Sequence, residues 1–373
     1  FLGRVSSPND FGEISLLNAT LAILFTPLII IPPLMTKLVN NFYQGNLNLK
    51  IFYNLIYKFF LVSSIFFILG LAYSFIKFNL FYLFFIFLII MAGFFQQFFI
   101  SFFQIKKKYI EFSILNSLVI YLKLIFFLIF YYLFNLSSIN SFLFSFLFSI
   151  LLSLFIAYSF SYKKLNVIVN IQKELKFSIL IKNTFYLILS NILIISFLNI
   201  DILIVSRFYE SSTLALYNAN ILFAKAIFYG SIIIIQVLFP EITSSSNKFR
   251  IKKIIFLSVL INLMLCFFGI LIMIFLGELI VDFTYNGNYK FDIKLFLIMG
   301  AAMCLMSISN LLILSNVALD NFKSIFLNIL PFLFFLISTN FYNDDIYKIS
   351  YCFLFSTLFF IIFNSYTILI KIK

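Results

Sequence analysis

The sequence predicts an all-α polytopic membrane protein. Three observations carry the prediction: the composition, the recurrence of apolar stretches long enough to cross a bilayer, and the placement of basic residues between them. Of 373 residues, 64% are hydrophobic and 10% are charged. A soluble domain of that size could not hide so much apolar surface, because a large share of its residues must face water. A bilayer accepts it.

Apolar stretches lie near 14–36, 54–76, 79–103, 112–134, 139–160, 183–207, 214–240, 254–276, 293–317, 322–339 and 348–370, eleven in all. Each is close to the roughly 20 residues that a membrane helix needs. No connection is long enough for a soluble domain; the longest, 161–182, is basic and falls near mid-chain. Three prolines in the first stretch, Pro27, Pro32 and Pro33, imply a kinked or broken helix.

Basic residues alternate from connection to connection. Lys37 and Lys50 follow the first span, Lys106–Lys108 the third, and Lys163, Lys164, Lys173, Lys176 and Lys182 fill the mid-chain link. Lys248, Arg250, Lys252 and Lys253 follow the seventh, and Lys371 and Lys373 end the chain. The intervening Asn135–Asn140 and Phe208–Thr213 carry no Lys or Arg. By the positive-inside rule the first set is cytoplasmic, as is the C-terminus. This accounts for the net charge of +13 without nucleic acid. With the C-terminus inside and eleven spans, residues 1–13 would lie outside. A chain with both ends cytoplasmic then requires one further helix upstream, giving twelve.

Twelve helices divide into an N-terminal lobe, 1–170, holding helices 2–6, and a C-terminal lobe, 171–373, holding helices 7–12. Equal, even numbers per half make the lobes parallel repeats. At an offset of 203, Arg4, Phe11, Gly12 and Ile14 correspond to Arg207, Leu214, Ala215 and Tyr217, each set leading into a span from the outer side.

Charges inside apolar spans are the sharpest functional signal, since a Lys or Asp at a helix centre costs roughly 2.5–3.5 kcal/mol on insertion scales. Lys123 and Lys225 each lie about 16–18 Å from the ends of their spans, too deep for their side chains to reach the interface. Asp201 lies about 10 Å below the outer end of its helix, and Arg207 ends the same helix. Two readings stand side by side. Lys123 and Lys225, one per half, could form a cationic cavity for a phosphate or diphosphate. Alternatively, Asp201 and Lys225 form a structural pair on adjacent helices, and Arg207 is an interfacial anchor. Gln96, Gln97, Asn116, Asn191, Asn199, Asn218, Asn220, Gln236 and Asn310 read chiefly as interhelical hydrogen-bond contacts.

The chain contains no His, which excludes imidazole catalysis and His ligation. Cys266, Cys304 and Cys352 sit in apolar runs without ligand or disulfide-motif spacing and read as small buried hydrophobes. No metal and no cofactor are expected. The acidic pair Asp344-Asp345 reads as solvated loop charge.

The segment Gly3-Arg4-Val5-Ser6-Ser7-Pro8-Asn9-Asp10-Phe11-Gly12 resembles the loop after the first helix of polysaccharide-exporting flippases, within the multidrug/oligosaccharidyl-lipid/polysaccharide exporter superfamily. Asn199-Ile200-Asp201, Leu216-Tyr217-Asn218-Ala219 and Val237-Leu238-Phe239-Pro240-Glu241 resemble that family's seventh and eighth helices. Tyr285-Asn286-Gly287-Asn288-Tyr289 resembles its outer loop before the ninth span. The resemblance implies two six-helix lobes and a monomer in a prokaryotic inner membrane, translocating undecaprenyl-diphosphate-linked oligosaccharide for O-antigen or capsule. Partners would be that lipid-linked substrate, membrane lipids, and a glycan polymerase with its export machinery. Lys225 and Asp201 fit the implied cavity; Lys123, on the fifth helix, fits it less well. Two alternatives remain: an ion-coupled multidrug-type antiporter of the same fold, and a membrane polymerase or glycosyltransferase. The first would favour acidic residues in its cavity and the second a large or acidic outer loop, so neither an antiporter nor an enzyme is the leading expectation.

Overall fold

A computed structural model describes residues 2–29, 31–32, 35, 79–106, 108–165, 177–244, 247–319, 321 and 323–372. The described residues form helices joined by short connections, as a chain must where lipid offers the backbone no hydrogen-bond partner. The main helices are α1 (Pro8–Leu24), α2 (Leu80–Ile105), α3 (Tyr109–Leu128), α4 (Ser138–Leu165), α5 (Phe177–Phe208), α6 (Ser211–Ser244), α7 (Lys248–Tyr285), α8 (Ile293–Ala318), α9 (Ile329–Phe341) and α10 (Ile346–Ile372). Among the described residues nine helices are long and apolar enough to cross a membrane. They match nine of the predicted stretches; a tenth, 214–240, lies within α6, and 54–76 lies outside the described residues. The protein is therefore an all-α, multi-pass membrane protein.

Two interruptions follow from proline chemistry. α1 stops at Leu24, Phe25 makes a turn in which the Leu28 N–H bonds to the Phe25 carbonyl at 2.9 Å, and a one-turn helix, Thr26–Ile29, follows. Pro27 has no N–H to continue the ladder and its ring crowds the preceding turn. The predicted 322–339 span is likewise split, into Lys323–Leu327 and α9, with the break at Asn328. Pro331 stands four residues after Leu327, at the spacing where its ring would strike the Leu327 carbonyl.

Other ends are set by caps. The Asn247 side chain accepts from the Phe249 and Arg250 N–H groups and starts α7. α7 ends at Asn286 in the left-handed region, φ 58°, followed by Gly287 at φ 76°, whose N–H reaches the Asp282 carbonyl. The Asn-Gly pair thus does what its conformational tolerance predicts. α7 is 38 residues long, against a predicted span of 254–276. At 1.5 Å per residue it measures about 57 Å, well beyond a bilayer's ~30 Å hydrocarbon core.

The described residues pack as two compact units, 20–192 and 1–19 with 193–373. In the first, α2 is central and packs against α3 and α4. Gln96 on α2 donates to the Ser153 hydroxyl on α4 at 2.9 Å, and Ser153 donates to the Leu115 carbonyl on α3 at 3.4 Å, tying three helices with one polar chain. Gly93 on α2 faces Phe25 at the α1 break; a Cβ there would lie 2.7 Å from the Phe25 ring. Gly93→Leu should therefore displace the broken segment and lower stability by about 1–3 kcal/mol, as overpacking typically does. Thermal unfolding of the purified variant checks this.

In the second unit α8 is central, packed against α6, α7 and α10. Phe197 on α5 stacks on Phe353 at 4.5 Å and meets Phe360 and Phe335 edge-on at 4.9 and 5.6 Å. A buried amide cluster joins α8 to α10 and to the Asn328 break. Asn316 donates to Thr367 Oγ1 at 3.0 Å, Asn364 donates to Asn328 Oδ1 at 2.6 Å, and Asn321 donates to Asn316 Oδ1 at 2.8 Å.

Candidate functional site

α5 and α6 are joined by the short Tyr209–Glu210 turn and bring their polar residues together. Asp201 on α5 is fully buried and Lys225 on α6 nearly so. Lys225 Nζ donates to Asp201 Oδ1 at 3.0 Å, forming an ion pair. The Tyr217 hydroxyl donates to Asp201 Oδ2 at 3.3 Å and lies 3.9 Å from Met299 Sδ on α8. Tyr217 and Lys225 are eight residues apart on α6, so they share a face about 12 Å apart along the axis. The short rigid ring meets the carboxylate from one side, and the long flexible lysine reaches it from the other. Both carboxylate oxygens are satisfied, and the two charges cancel where burial would otherwise be costly.

Asp201 and Lys225 are the buried charged side chains among the described residues. Of the two readings open from sequence, the pairing of Asp201 with Lys225 is the arrangement found. Tyr217, the third member, was legible only as part of the Leu216–Ala219 stretch. Its hydroxyl carries no sequence signal, because a Tyr in an apolar helix is equally at home as a packing residue.

Lys123 belongs to the other unit. Its Nζ sits over two rings of α4, 3.9 Å from the Phe146 centroid and 4.1 Å from that of Phe142. Aromatic faces thus take the place of a carboxylate in stabilising the ammonium. The described ion pairs do not include it. Arg207 is exposed at the end of α5, with its guanidinium 5.5 Å from the Phe208 ring, a position suited to an interfacial anchor.

Several predicted polar contacts are interhelical: Gln96 with Ser153, Gln97 with Asn116 at 3.5 Å, and Asn218 with Ser15 at 2.6 Å. Asn199 instead bonds the Ile195 carbonyl of its own helix. Cys266 lies beside Asn262 and Ser307, 3.6 and 3.5 Å from their side-chain oxygens, in a buried contact between α7 and α8. Asp344 is exposed and pairs with Lys348 at 2.7 Å; the hydrogen bond from that ammonium holds its carboxyl below the ordinary value. Asp345 accepts from the Tyr347 N–H at the start of α10. Among the described residues no group of three or more His, Cys, Asp or Glu could hold a metal ion.

No protein-family model matches the sequence, and no curated protein matches it. Solved structures do share its fold. A eukaryotic MATE transporter, AtDTX14, superposes with a TM-score of 0.69 at 11% identity, over 99% of this chain and 89% of that one. The lipid II flippase MurJ, in an inward closed conformation, gives 0.64 at 14% identity over 96% and 85%. An inward-facing multidrug resistance MATE family transporter of the MOP superfamily gives 0.65 at 8% identity over 99% and 91%.

Proposed function

We propose that this chain is a flippase of the MOP superfamily that carries an undecaprenyl-diphosphate-linked oligosaccharide across a prokaryotic cytoplasmic membrane for O-antigen or capsule assembly. In this reading the halves 1–170 and 171–373 act as two lobes that alternate access, with the C-terminus cytoplasmic. The fold is shared by a lipid flippase and by multidrug transporters, so fold alone leaves both classes open.

The observation that favours the flippase is the charge of the buried interior. The charged side chains buried among the described residues are one Lys and one Asp that neutralise each other, so among those residues no free buried carboxylate stands ready to attract a cationic drug. A diphosphate could compete with Asp201 for the Lys225 ammonium, since both are oxyanions of the kind lysine binds. Lys225 is then the substrate-binding residue. Asp201 is its resting partner, and Tyr217 holds Asp201 in place. No cofactor is required.

The test is reconstitution of the purified protein in liposomes, with two substrates compared. A fluorescent undecaprenyl-diphosphate oligosaccharide is expected to change leaflet faster than in protein-free vesicles, while a cationic dye under a proton or sodium gradient stays at background. Gradient-driven dye transport with no lipid movement would establish the antiporter instead.

A further inference from the structure

α7 presents two unlike faces. Ile251, Ile255, Ser258, Asn262 and Cys266 are buried against the rest of their unit, recurring every three or four residues as one side of a helix must. On the opposite side Phe249, Lys253, Phe256, Leu260, Met264 and Phe267 recur at the same spacing, and all six are exposed, Phe249 by 76% and Phe256 by 67%. Lys252 stands exposed beside them. Over one turn the outward face thus passes from lysine to a row of apolar side chains.

Charge fixes the depth of that change. Residues 254–277 carry no charge, and Lys253 and Glu278 bound them. The two lie about 37 Å apart along the helix axis. That exceeds the ~30 Å hydrocarbon core but fits within the roughly 40–45 Å that includes the headgroups, so both charges stand at headgroup level. The ends differ in sign: Lys252 and Lys253 at one, Glu278 and Asp282 at the other, all four exposed. At the basic end the Asn247 side chain already accepts from the Phe249 and Arg250 N–H groups, so the ammonium groups, not the helix amides, are what an anion would meet. The described ion pairs do not include Lys252 or Lys253.

We propose that Lys252 and Lys253, with the apolar row from Phe256 to Phe267, form a binding site for an anionic phospholipid. The lysines take the phosphate-bearing headgroup as flexible point charges, and the row takes an acyl chain. A soluble phosphate would need only the ammonium groups. The apolar row begins directly beneath them, at the depth where acyl chains start, and this commits the site to a lipid. Phe256 to Phe267 covers about 17 Å along the axis, close to one leaflet's half of the ~30 Å core. Near an anionic membrane surface each lysine strengthens association about fivefold. The site lies wholly on one helix and holds whatever the chain transports.

The test places the full chain in phosphatidylcholine nanodiscs doped with a lipid that carries a photoreactive diazirine in its acyl chain. The probe has either a phosphatidylglycerol or a phosphatidylcholine headgroup, and mass spectrometry reads cross-links to residues 256–268. In the wild type the phosphatidylglycerol probe should label this stretch at least about fivefold more than the phosphatidylcholine probe. Lys252→Gln/Lys253→Gln should bring the ratio close to one, and Lys252→Arg/Lys253→Arg should keep it. Lys371→Gln/Lys373→Gln, at another basic end, should leave it unchanged. Equal labelling by the two probes in the wild type, or an excess that survives the Gln pair at 252 and 253, would overturn the site. So would an excess removed equally by the Lys371/Lys373 variant, which would reduce it to general surface potential. Loss of the excess in millimolar inorganic phosphate, but not in chloride of the same ionic strength, would overturn it by showing that the lysines hold a soluble anion.

Discussion

Lys225→Met is expected to abolish export and to destabilise the protein, because it strands the Asp201 carboxylate, fully buried, with the Tyr217 hydroxyl as its remaining partner among the described residues. Removing one member of a buried pair typically costs about 3–5 kcal/mol. Asp201→Asn should destabilise by a similar amount through the uncompensated ammonium, its amide oxygen still able to accept from Tyr217. The double variant Asp201→Asn/Lys225→Met removes both charges and should regain most of the lost stability, since a buried pair replaced by neutral groups of like size is often close to neutral. If Lys225 binds diphosphate, the double variant stays inactive although it is folded. Thermal unfolding in detergent and surface-glycan complementation of a flippase-null strain read the two effects separately. Full complementation by the double variant would show that the pair is purely structural.

The second large effect is expected at Asn364→Leu. Asn364 is fully buried and is the hub of the amide cluster: Asn316 donates to its Oδ1 at 3.4 Å, Asn328 does so at 3.4 Å, and it donates to Asn328 Oδ1 at 2.6 Å. Leucine there leaves the Asn328 amide, itself fully buried, without those partners on either its oxygen or its nitrogen. Each orphaned group costs about 1–3 kcal/mol, so a total loss of about 2–6 kcal/mol is expected for the two. Asn364→Gln, which keeps both functions on a longer arm, should lose less. Equal melting temperatures for the Leu variant and wild type would refute the importance of the cluster.

The ion pair and the amide cluster do not announce themselves equally in the sequence. Asp201 and Lys225 stand out because charge in an apolar span is costly, and their adjacency in the topology made a pair one of two readings. Asn316, Asn328 and Asn364 did not stand out, because an isolated Asn in a long apolar helix is common. The contacts that Asn364 makes with the other two span 48 and 36 residues. Lys123 was legible as a costly charge, but its partners proved to be Phe142 and Phe146, two of 58 phenylalanines with nothing to mark them.

By itself the sequence determined the class, the position of nine spans to within several residues at most ends, the proline break after α1, and the Asn-Gly end of α7. These are consequences of local energetics: each apolar stretch and each backbone exception bears its cost wherever it lies in the fold. The tertiary structure decided which faces meet. In helices apolar all round, periodicity does not point a face toward a partner, so the Tyr217–Asp201–Lys225 contact and the hydrogen bond from Asn218 to Ser15 arise only when the bundle is assembled.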